Sequence, residues 1–121
     1  MIHFKILIKS FQYALQGLYY AWKHEQNFRI QIFFASIVFI LMIILRVRVI
    51  EAVALIGVMA LVIILELLNT MFERMVDILK PRIHYYASVI KDMMASAVLV
   101  ASLSALIVGI LIFFPYILEL F

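Results

Sequence analysis

The chain has 121 residues, of which 69% are hydrophobic and only 14% charged, and its mean hydropathy is +1.21. Soluble domains are nearer half apolar and a quarter charged, so this composition excludes a soluble protein and indicates an integral membrane protein with a single domain, residues 1–121. The net charge of +3 comes from scattered basic residues, which favours contact with anionic lipid headgroups and argues against a nucleic-acid-binding surface.

The whole chain is expected to be helical. It has only 3 glycines and 2 prolines, so charged residues and not helix breakers interrupt its long apolar runs. Cysteine is absent, which excludes disulfides and thiolate metal sites. Lys5 and Lys9 interrupt the apolar residues at the N-terminus, a pattern unlike that of a cleavable signal peptide.

Residues 4–24 are predicted to form an amphipathic helix on the membrane surface. Apolar residues recur there at three- and four-residue steps, while lysines and glutamines recur on another face. Tyr13 and Trp22 suit the headgroup level, where an aromatic ring has both an apolar and a wet neighbour. The simplest interpretation is a membrane anchor, and the alternative is a helix that also covers a site at the cytoplasmic face.

Three apolar segments are predicted to cross the membrane as helices. The first span covers approximately residues 28–46. The second covers approximately residues 49–79 and should end at Pro81. The third covers approximately residues 88–114 and should end before Pro115. The predicted fold is therefore an all-α membrane protein with a surface helix and three transmembrane helices.

The basic residues predict the orientation of these spans. Only Arg46 and Arg48 of the ten lysines and arginines lie between the first two spans. The other eight lie before the first span or around the second loop: Lys5, Lys9, Lys23, Arg29, Arg74, Lys80, Arg82 and Lys91. The positive-inside rule then places the N-terminus and the second loop in the cytoplasm, for a multi-pass protein of the inner (cytoplasmic) membrane.

An acidic stripe in the second span is the strongest functional signal. At about 100° per residue, Glu66, Asn69, Glu73 and Asp77 share one narrow helical face. Glu73 and Asp77 could simply be a solvated face, and Asn69 could join helices in lipid. Glu66 follows a long apolar run, and an ionisable residue at that depth is a functional-site hypothesis by default.

Carboxylates combined with Lys91 suit phosphoryl transfer. Carboxylate oxygens are ligands for Mg²⁺, a lysine can neutralise phosphate charge, and a further carboxylate can accept a proton from an attacking hydroxyl. The chain has no Walker-type or kinase-type glycine loop, so a nucleotide site here must be of another design. His84 has no second histidine at ligand spacing and fits a loop residue better than a metal ligand.

Two motifs in the chain resemble those of the prokaryotic diacylglycerol kinase and undecaprenol kinase family. They are the polar stretch Glu25-Gln-Asn-Phe-Arg29 and the series Glu66-Leu-Leu-Asn-Thr70, Glu73, Asp77, His84 and Lys91-Asp92. The resemblance covers nearly the whole chain, including the surface helix and the three spans. It implies a homotrimeric membrane kinase that transfers the γ-phosphate of Mg-ATP to a lipid alcohol at the cytoplasmic interface.

The same resemblance implies roles for individual residues. Glu66 would be the catalytic base, and Glu25 and Glu73 would hold Mg²⁺ around the ATP phosphates. The remaining positions that it implies near the nucleotide are Lys91, Asp92, His84, Tyr13 and Lys9, with Asn69 and Asp77 as supporting polar residues.

The choice of lipid and one alternative function stay open at this point. The run from Glu25 to Ile30 is more similar to the Gram-positive type of the family, which tends toward undecaprenol over diacylglycerol. Residues 93–96 depart from the alanine and glycine common in the family, which affects helix packing and lipid fit. The alternative function is a non-enzymatic membrane scaffold or proton-relay subunit, with Glu66 and Asn69 as packing or relay groups.

Overall fold

The computed structural model describes residues 1–79 and 84–121, and in that part of the chain it consists of four α-helices without strands. The helices are α1 (Phe4–His24), α2 (Gln26–Leu45), α3 (Val49–Leu79) and α4 (His84–Leu120). Three of them, α2, α3 and α4, are long and apolar enough to cross a membrane. The predicted all-α membrane fold, with an N-terminal helix and three spans, is therefore confirmed.

A sharp corner at Glu25 separates α1 from α2. Glu25 has an extended backbone, with φ −116° and ψ 111°, between two helical residues. Arg29 stabilises the corner because its Nη1 donates to the carbonyls of Trp22 at 2.7 Å and Lys23 at 3.2 Å. A cation on the last carbonyls of a helix compensates the negative end of its dipole, so α1 can end here without a glycine.

The turn between α2 and α3 is equally short. Arg46 caps the C-terminus of α2 in a left-handed conformation with φ 52°, and the Arg46 and Val47 amides donate to carbonyls of the last turn. The Glu51 carboxylate then accepts a hydrogen bond from the backbone amide of Arg48 at 3.0 Å. This contact satisfies one of the free amides that precede α3, as an acid in the first turn of a helix commonly does.

The most extensive contact in the described protein joins α3 and α4. α4 runs through Pro115 to Leu120, so the prediction that the third span ends before Pro115 is wrong. A proline in a helix forgoes one hydrogen bond, but tertiary contacts hold this segment in helical form. Phe113 packs in the core, and the Tyr116 hydroxyl donates to the Glu51 carboxylate of α3.

The end of the second span falls at the edge of the described residues. α3 extends to Leu79, the last residue described before residue 84, and Pro81, the predicted terminator, lies outside the described residues.

On α1, Ala21 alone is buried, so the apolar side of this helix is available to a lipid surface.

A small core lies at the end of the bundle away from Glu66. It consists of Met42, Leu55 and Phe113, one residue from each transmembrane helix, with partly buried neighbours around them. Leu55 is only 1% exposed. These contacts fix the relative positions of α2, α3 and α4.

Leu55→Ala is expected to lower the free energy of unfolding by about 2 kcal/mol, the low end of the range for buried leucines. Lipid is as apolar as the core, so the variant loses packing contacts but little hydrophobic transfer energy. Denaturant titration of the protein in detergent micelles measures this loss. Leu111→Ala, on an exposed position of α4, is the matched control. An equal effect of the two substitutions would show that Leu55 has no special role in the core.

Candidate functional site

Glu66 is the most deeply buried charged residue in the described chain. It is 2% exposed, in the middle of α3. The Gln31 side chain of α2 donates from Nε2 to Glu66 Oε2 at 3.2 Å. A buried carboxylate without hydrogen bonds is very costly, so this amide partly compensates the burial of Glu66. Gln31 bonds to Oε2, and within the described residues the Oε1 atom accepts no hydrogen bond.

Three carboxylates form a cluster around this position, which we call the carboxylate cluster: Glu25, Glu66 and Glu73. Glu66 interacts electrostatically with both of the others. Glu73 is seven residues from Glu66, which corresponds to about 10 Å along the helix axis. Glu25 comes from the corner between α1 and α2. The fold therefore places Glu25 and Glu73 within electrostatic range of Glu66.

Arg74 compensates part of the negative charge of this cluster. Its Nη2 donates to Glu25 Oε1 at 3.1 Å, and its Nε donates to the Tyr20 hydroxyl at 3.0 Å. It also interacts electrostatically with Glu73. A single guanidinium thus links α1, the start of α2, and α3.

Asp77 and Lys91 form an ion pair between α3 and α4, with 2.7 Å between Lys91 Nζ and Asp77 Oδ1. Both side chains are partly exposed. Asp77 is one turn beyond Glu73 on α3, so the pair stands next to the carboxylate cluster. Asp92 follows Lys91 on α4 and is exposed.

Several buried polar atoms near Glu66 have no hydrogen-bond partner among the residues that the structure describes. They are Gln31 Oε1, Asn69 Oδ1 and Thr70 Oγ1. Asn69 and Thr70 are both buried on α3, within one turn of Glu66. Buried acceptors normally find a partner, so these atoms mark a region suited to a polar ligand or another protein surface.

An apolar groove with a volume of about 470 Å³ leads away from this region between α2, α3 and α4. Asn27 and Gln31 line its polar end, and Leu55 and Gly109 line the opposite part. The α2 residues along it, from Asn27 to Val38, span about 16 Å of helix. Gln31 both lines the groove and bonds to Glu66, so the groove begins beside the buried carboxylate.

Two further predicted site residues, Lys9 and Tyr13, are not brought into contact with the carboxylate cluster. Lys9 and Tyr13 lie on exposed positions of α1 and, in the described part of the chain, make no hydrogen bond or ion pair with it. His84 begins α4, but its side chain lies outside what the structure describes.

Sequence reasoning missed three residues of this region: Gln31, Tyr20 and Arg74. A signal existed for Gln31, because a polar residue interrupts the apolar run from Ile30 to Leu45 at membrane depth. In the sequence, Arg74 is informative only about orientation, and its role depends on contacts with two other helices. Tyr20 could not be distinguished from its neighbour Tyr19 without those contacts.

The donor set of the cluster is compatible with a magnesium ion shared with phosphates. Over residues 1–79 and 84–121, no group of three or more His, Asp or Glu side chains could hold a metal by itself. Mg²⁺ in kinases, however, is commonly held by one or two carboxylates together with substrate phosphates and water. Glu25 and Glu73 are the candidates for such a pair, and Arg74 bonds only to the Oε1 atom of Glu25.

Comparisons with known proteins identify the family of the chain. Residues 12–113 match the family model described as prokaryotic diacylglycerol kinase. A diacylglycerol kinase of Synechocystis sp. is 39% identical over 94% of this chain, and the match spans 66% of that relative, slightly under two thirds of its length. An undecaprenol kinase of Bacillus subtilis is 34% identical over 88% of this chain and 87% of its own length.

A diacylglycerol kinase of Escherichia coli is 35% identical over 86% of this chain and 85% of its own length. The matched region includes the corner at Glu25, the acidic stripe and the Lys91-Asp92 pair. The resemblance deduced from these motifs is thereby confirmed. The chain belongs to the prokaryotic diacylglycerol kinase family of membrane lipid kinases.

Proposed function

We propose that this protein phosphorylates a membrane lipid alcohol, either diacylglycerol or undecaprenol, with the γ-phosphate of ATP in the presence of Mg²⁺. The observation that carries the proposal is the position of Glu66: its carboxylate bonds to Gln31, which lines the apolar groove, and interacts electrostatically with Glu25 and Glu73. A lipid hydroxyl can approach from the groove, while a nucleotide can approach from the polar side.

The groove supports a lipid substrate. Its walls are apolar side chains of three transmembrane helices, and its polar end carries Asn27 and Gln31. An alcohol with long hydrocarbon chains would place its tail along these walls and its hydroxyl at the polar end. Both lipids named for the relatives have this construction.

In the proposed reaction, Glu66 is the general base. Its Oε1 accepts the proton of the lipid hydroxyl while the hydroxyl oxygen attacks the γ-phosphorus of ATP. The bond between the γ-phosphorus and the bridging oxygen of ADP breaks, and the proton then passes from Glu66 to solvent. Gln31 keeps the carboxylate oriented through its bond to Oε2.

Glu25 and Glu73 are proposed to hold Mg²⁺ together with the ATP phosphates. The bound ion would supply positive charge that neutralises the phosphate oxygens. Arg74 reduces the repulsion between these acids and the incoming nucleotide.

The other polar residues receive supporting roles. Lys91 is proposed to contact phosphate, which requires it to exchange its bond with Asp77 for one with the nucleotide. Asp92 would orient its neighbours, and Asn69 would bond to a ligand or to another helix through its unpartnered Oδ1. Lys9, Tyr13 and His84 are also proposed to lie near the nucleotide. Lys9 and Tyr13 make no contact with the cluster in the described part of the chain, and the His84 side chain lies outside it.

We further propose a homotrimer with its sites between subunits, in the inner membrane, with the N-terminus and the second loop in the cytoplasm. The unpartnered buried acceptors support a complete site that needs more than one chain. The eight basic residues on one side of the spans support the orientation. This places the carboxylate cluster toward the compartment that contains ATP.

Phosphorylation assays with both lipids test the proposal. The purified protein in mixed micelles is given γ-labelled ATP and Mg²⁺ with diacylglycerol in one series and undecaprenol in the other. Labelled lipid is expected in at least one series, and the ratio of kcat/KM values identifies the preferred substrate. No labelled lipid from a preparation shown to be folded would contradict the proposal and favour the scaffold or proton-relay alternative.

A further inference from the structure

Arg74 joins three helices through side-chain contacts that its charge alone does not explain. Its guanidinium on α3 donates to Glu25 at the start of α2 and to Tyr20 on α1, at 3.1 Å and 3.0 Å. These bonds leave from different nitrogens, Nη2 and Nε, so one planar group holds both partners at once.

Glu25 depends on this contact because its own helix does not orient it. Glu25 is the N-cap residue of α2, but its side chain makes no capping hydrogen bond. Its backbone is extended at the corner, which leaves the direction of the side chain to tertiary contacts. The carboxylate is 16% exposed, and Arg74 holds its Oε1 atom.

Arg74 is in turn oriented by the surface helix. The Tyr20 hydroxyl accepts the hydrogen bond from Arg74 Nε, and the centre of the Tyr20 ring lies 5.9 Å from the Arg74 Cζ atom. The Tyr20 ring stacks on His24 with 4.2 Å between ring centres. A continuous series of contacts therefore runs from the end of α1 through Tyr20 and Arg74 to the Glu25 carboxylate.

This geometry leaves Glu25 Oε2 for another partner. A carboxylate has two oxygens, and Arg74 bonds to one of them. Groups that hydrogen-bond to metal-ligating carboxylates fix their orientation, and their loss typically weakens metal binding by about 10- to 100-fold.

We propose that Arg74 is a positioning residue that aims the Glu25 carboxylate at the metal, with Tyr20 as its anchor. The inference rests on the proposed role of Glu25 in binding Mg²⁺. Under this assignment, loss of Arg74 weakens metal binding even though it removes a positive charge from the site. Charge alone predicts tighter metal binding in the variant, because a site that has lost a positive side chain attracts a divalent cation more strongly.

A direct measurement of metal binding distinguishes weaker binding, which the positioning role predicts, from tighter binding, which charge alone predicts. Mn²⁺, which shares the oxygen ligands of Mg²⁺, is titrated into the full protein in micelles with a non-hydrolysable ATP analogue. Water-proton relaxation reports bound Mn²⁺ without any catalytic turnover. R74M is expected to raise the Mn²⁺ dissociation constant about tenfold. R74K, which keeps the charge and one donor toward Glu25, is expected to lie between R74M and the unmodified protein.

Two further variants complete the comparison. Y20F removes the hydroxyl that orients Arg74 while keeping the ring, and it is expected to weaken Mn²⁺ binding less than R74M does. R48M is the matched control, because Arg48 pairs with Glu51 at the other end of α3 and its loss changes the net charge equally. R48M is expected to leave Mn²⁺ binding within twofold. Helical content and elution volume verify folding of each variant.

A double substitution separates failure of this inference from failure of the proposed function. In the E25Q background, R74M is expected to change Mn²⁺ binding by less than twofold, because Arg74 then has no ligand to position. Weakened binding in E25Q with normal or tighter binding in R74M would overturn the positioning role alone. Unchanged binding in E25Q would refute the metal role of Glu25, and the inference with it.

Discussion

Glu66→Gln is expected to reduce lipid phosphorylation by at least about a hundredfold at saturating ATP and Mg²⁺. Glutamine has nearly the same shape and can still bond to Gln31, but it cannot accept a proton from the lipid hydroxyl. The loss should therefore appear in kcat at every lipid concentration. Initial rates of label transfer from ATP to lipid in mixed micelles measure it.

Controls for this variant distinguish chemistry from folding. Glu66→Asp keeps a carboxylate but withdraws it by one methylene, so an intermediate activity is expected. Glu51→Gln is the same substitution at the opposite end of α3, and its kcat should stay within a few-fold of the unmodified protein. If folded Glu66→Gln protein retained more than a tenth of the original kcat, Glu66 could not be the general base.

Glu73→Gln is expected to raise the Mg²⁺ concentration required for half-maximal activity by at least about tenfold. The amide retains an oxygen but loses the negative charge that makes a carboxylate a good Mg²⁺ ligand. Titration of Mg²⁺ at fixed ATP and lipid measures this shift, and excess Mg²⁺ should restore most of the turnover. Glu119→Gln, at the exposed C-terminal end of α4, is the matched control and should leave the Mg²⁺ titration unchanged.

The two variants should differ in their response to metal. Glu66 and Glu73 are about 10 Å apart along α3, so one group can act on the lipid hydroxyl while the other meets the phosphates. Excess Mg²⁺ should rescue Glu73→Gln but not Glu66→Gln. A lowered kcat with an unchanged Mg²⁺ requirement in Glu73→Gln would contradict the assignment of Glu73 to the metal.

The membrane fold follows largely from local features of the chain. Apolar runs long enough to cross a bilayer predict α2, α3 and α4, and the amphipathic pattern of residues 4–24 predicts α1. Local rules failed at Pro115, which terminates helices in the absence of compensating contacts. The bond between Tyr116 and Glu51 joins residues 65 positions apart, and such long-range contacts are not visible in local sequence patterns.

The acidic stripe was also apparent from the residues alone, because a carboxylate inside an apolar run is costly enough to demand an explanation. Family resemblance then connected Glu25 and the Lys91-Asp92 pair to the stripe. Gln31 and Arg74 were overlooked because their importance arises from partners on other helices.

The amino-acid sequence by itself determined the membrane class, the helical spans, the family and the acids that are proposed to act in phosphoryl transfer. These properties depend on hydropathy, periodicity and residue identity, which are all local. Tertiary structure decided which groups accompany those acids: the amide on Glu66, the guanidinium on Glu25, the lysine on Asp77 and the groove that begins beside Gln31. Each of these contacts joins residues from different helices, so it exists only when the helices pack.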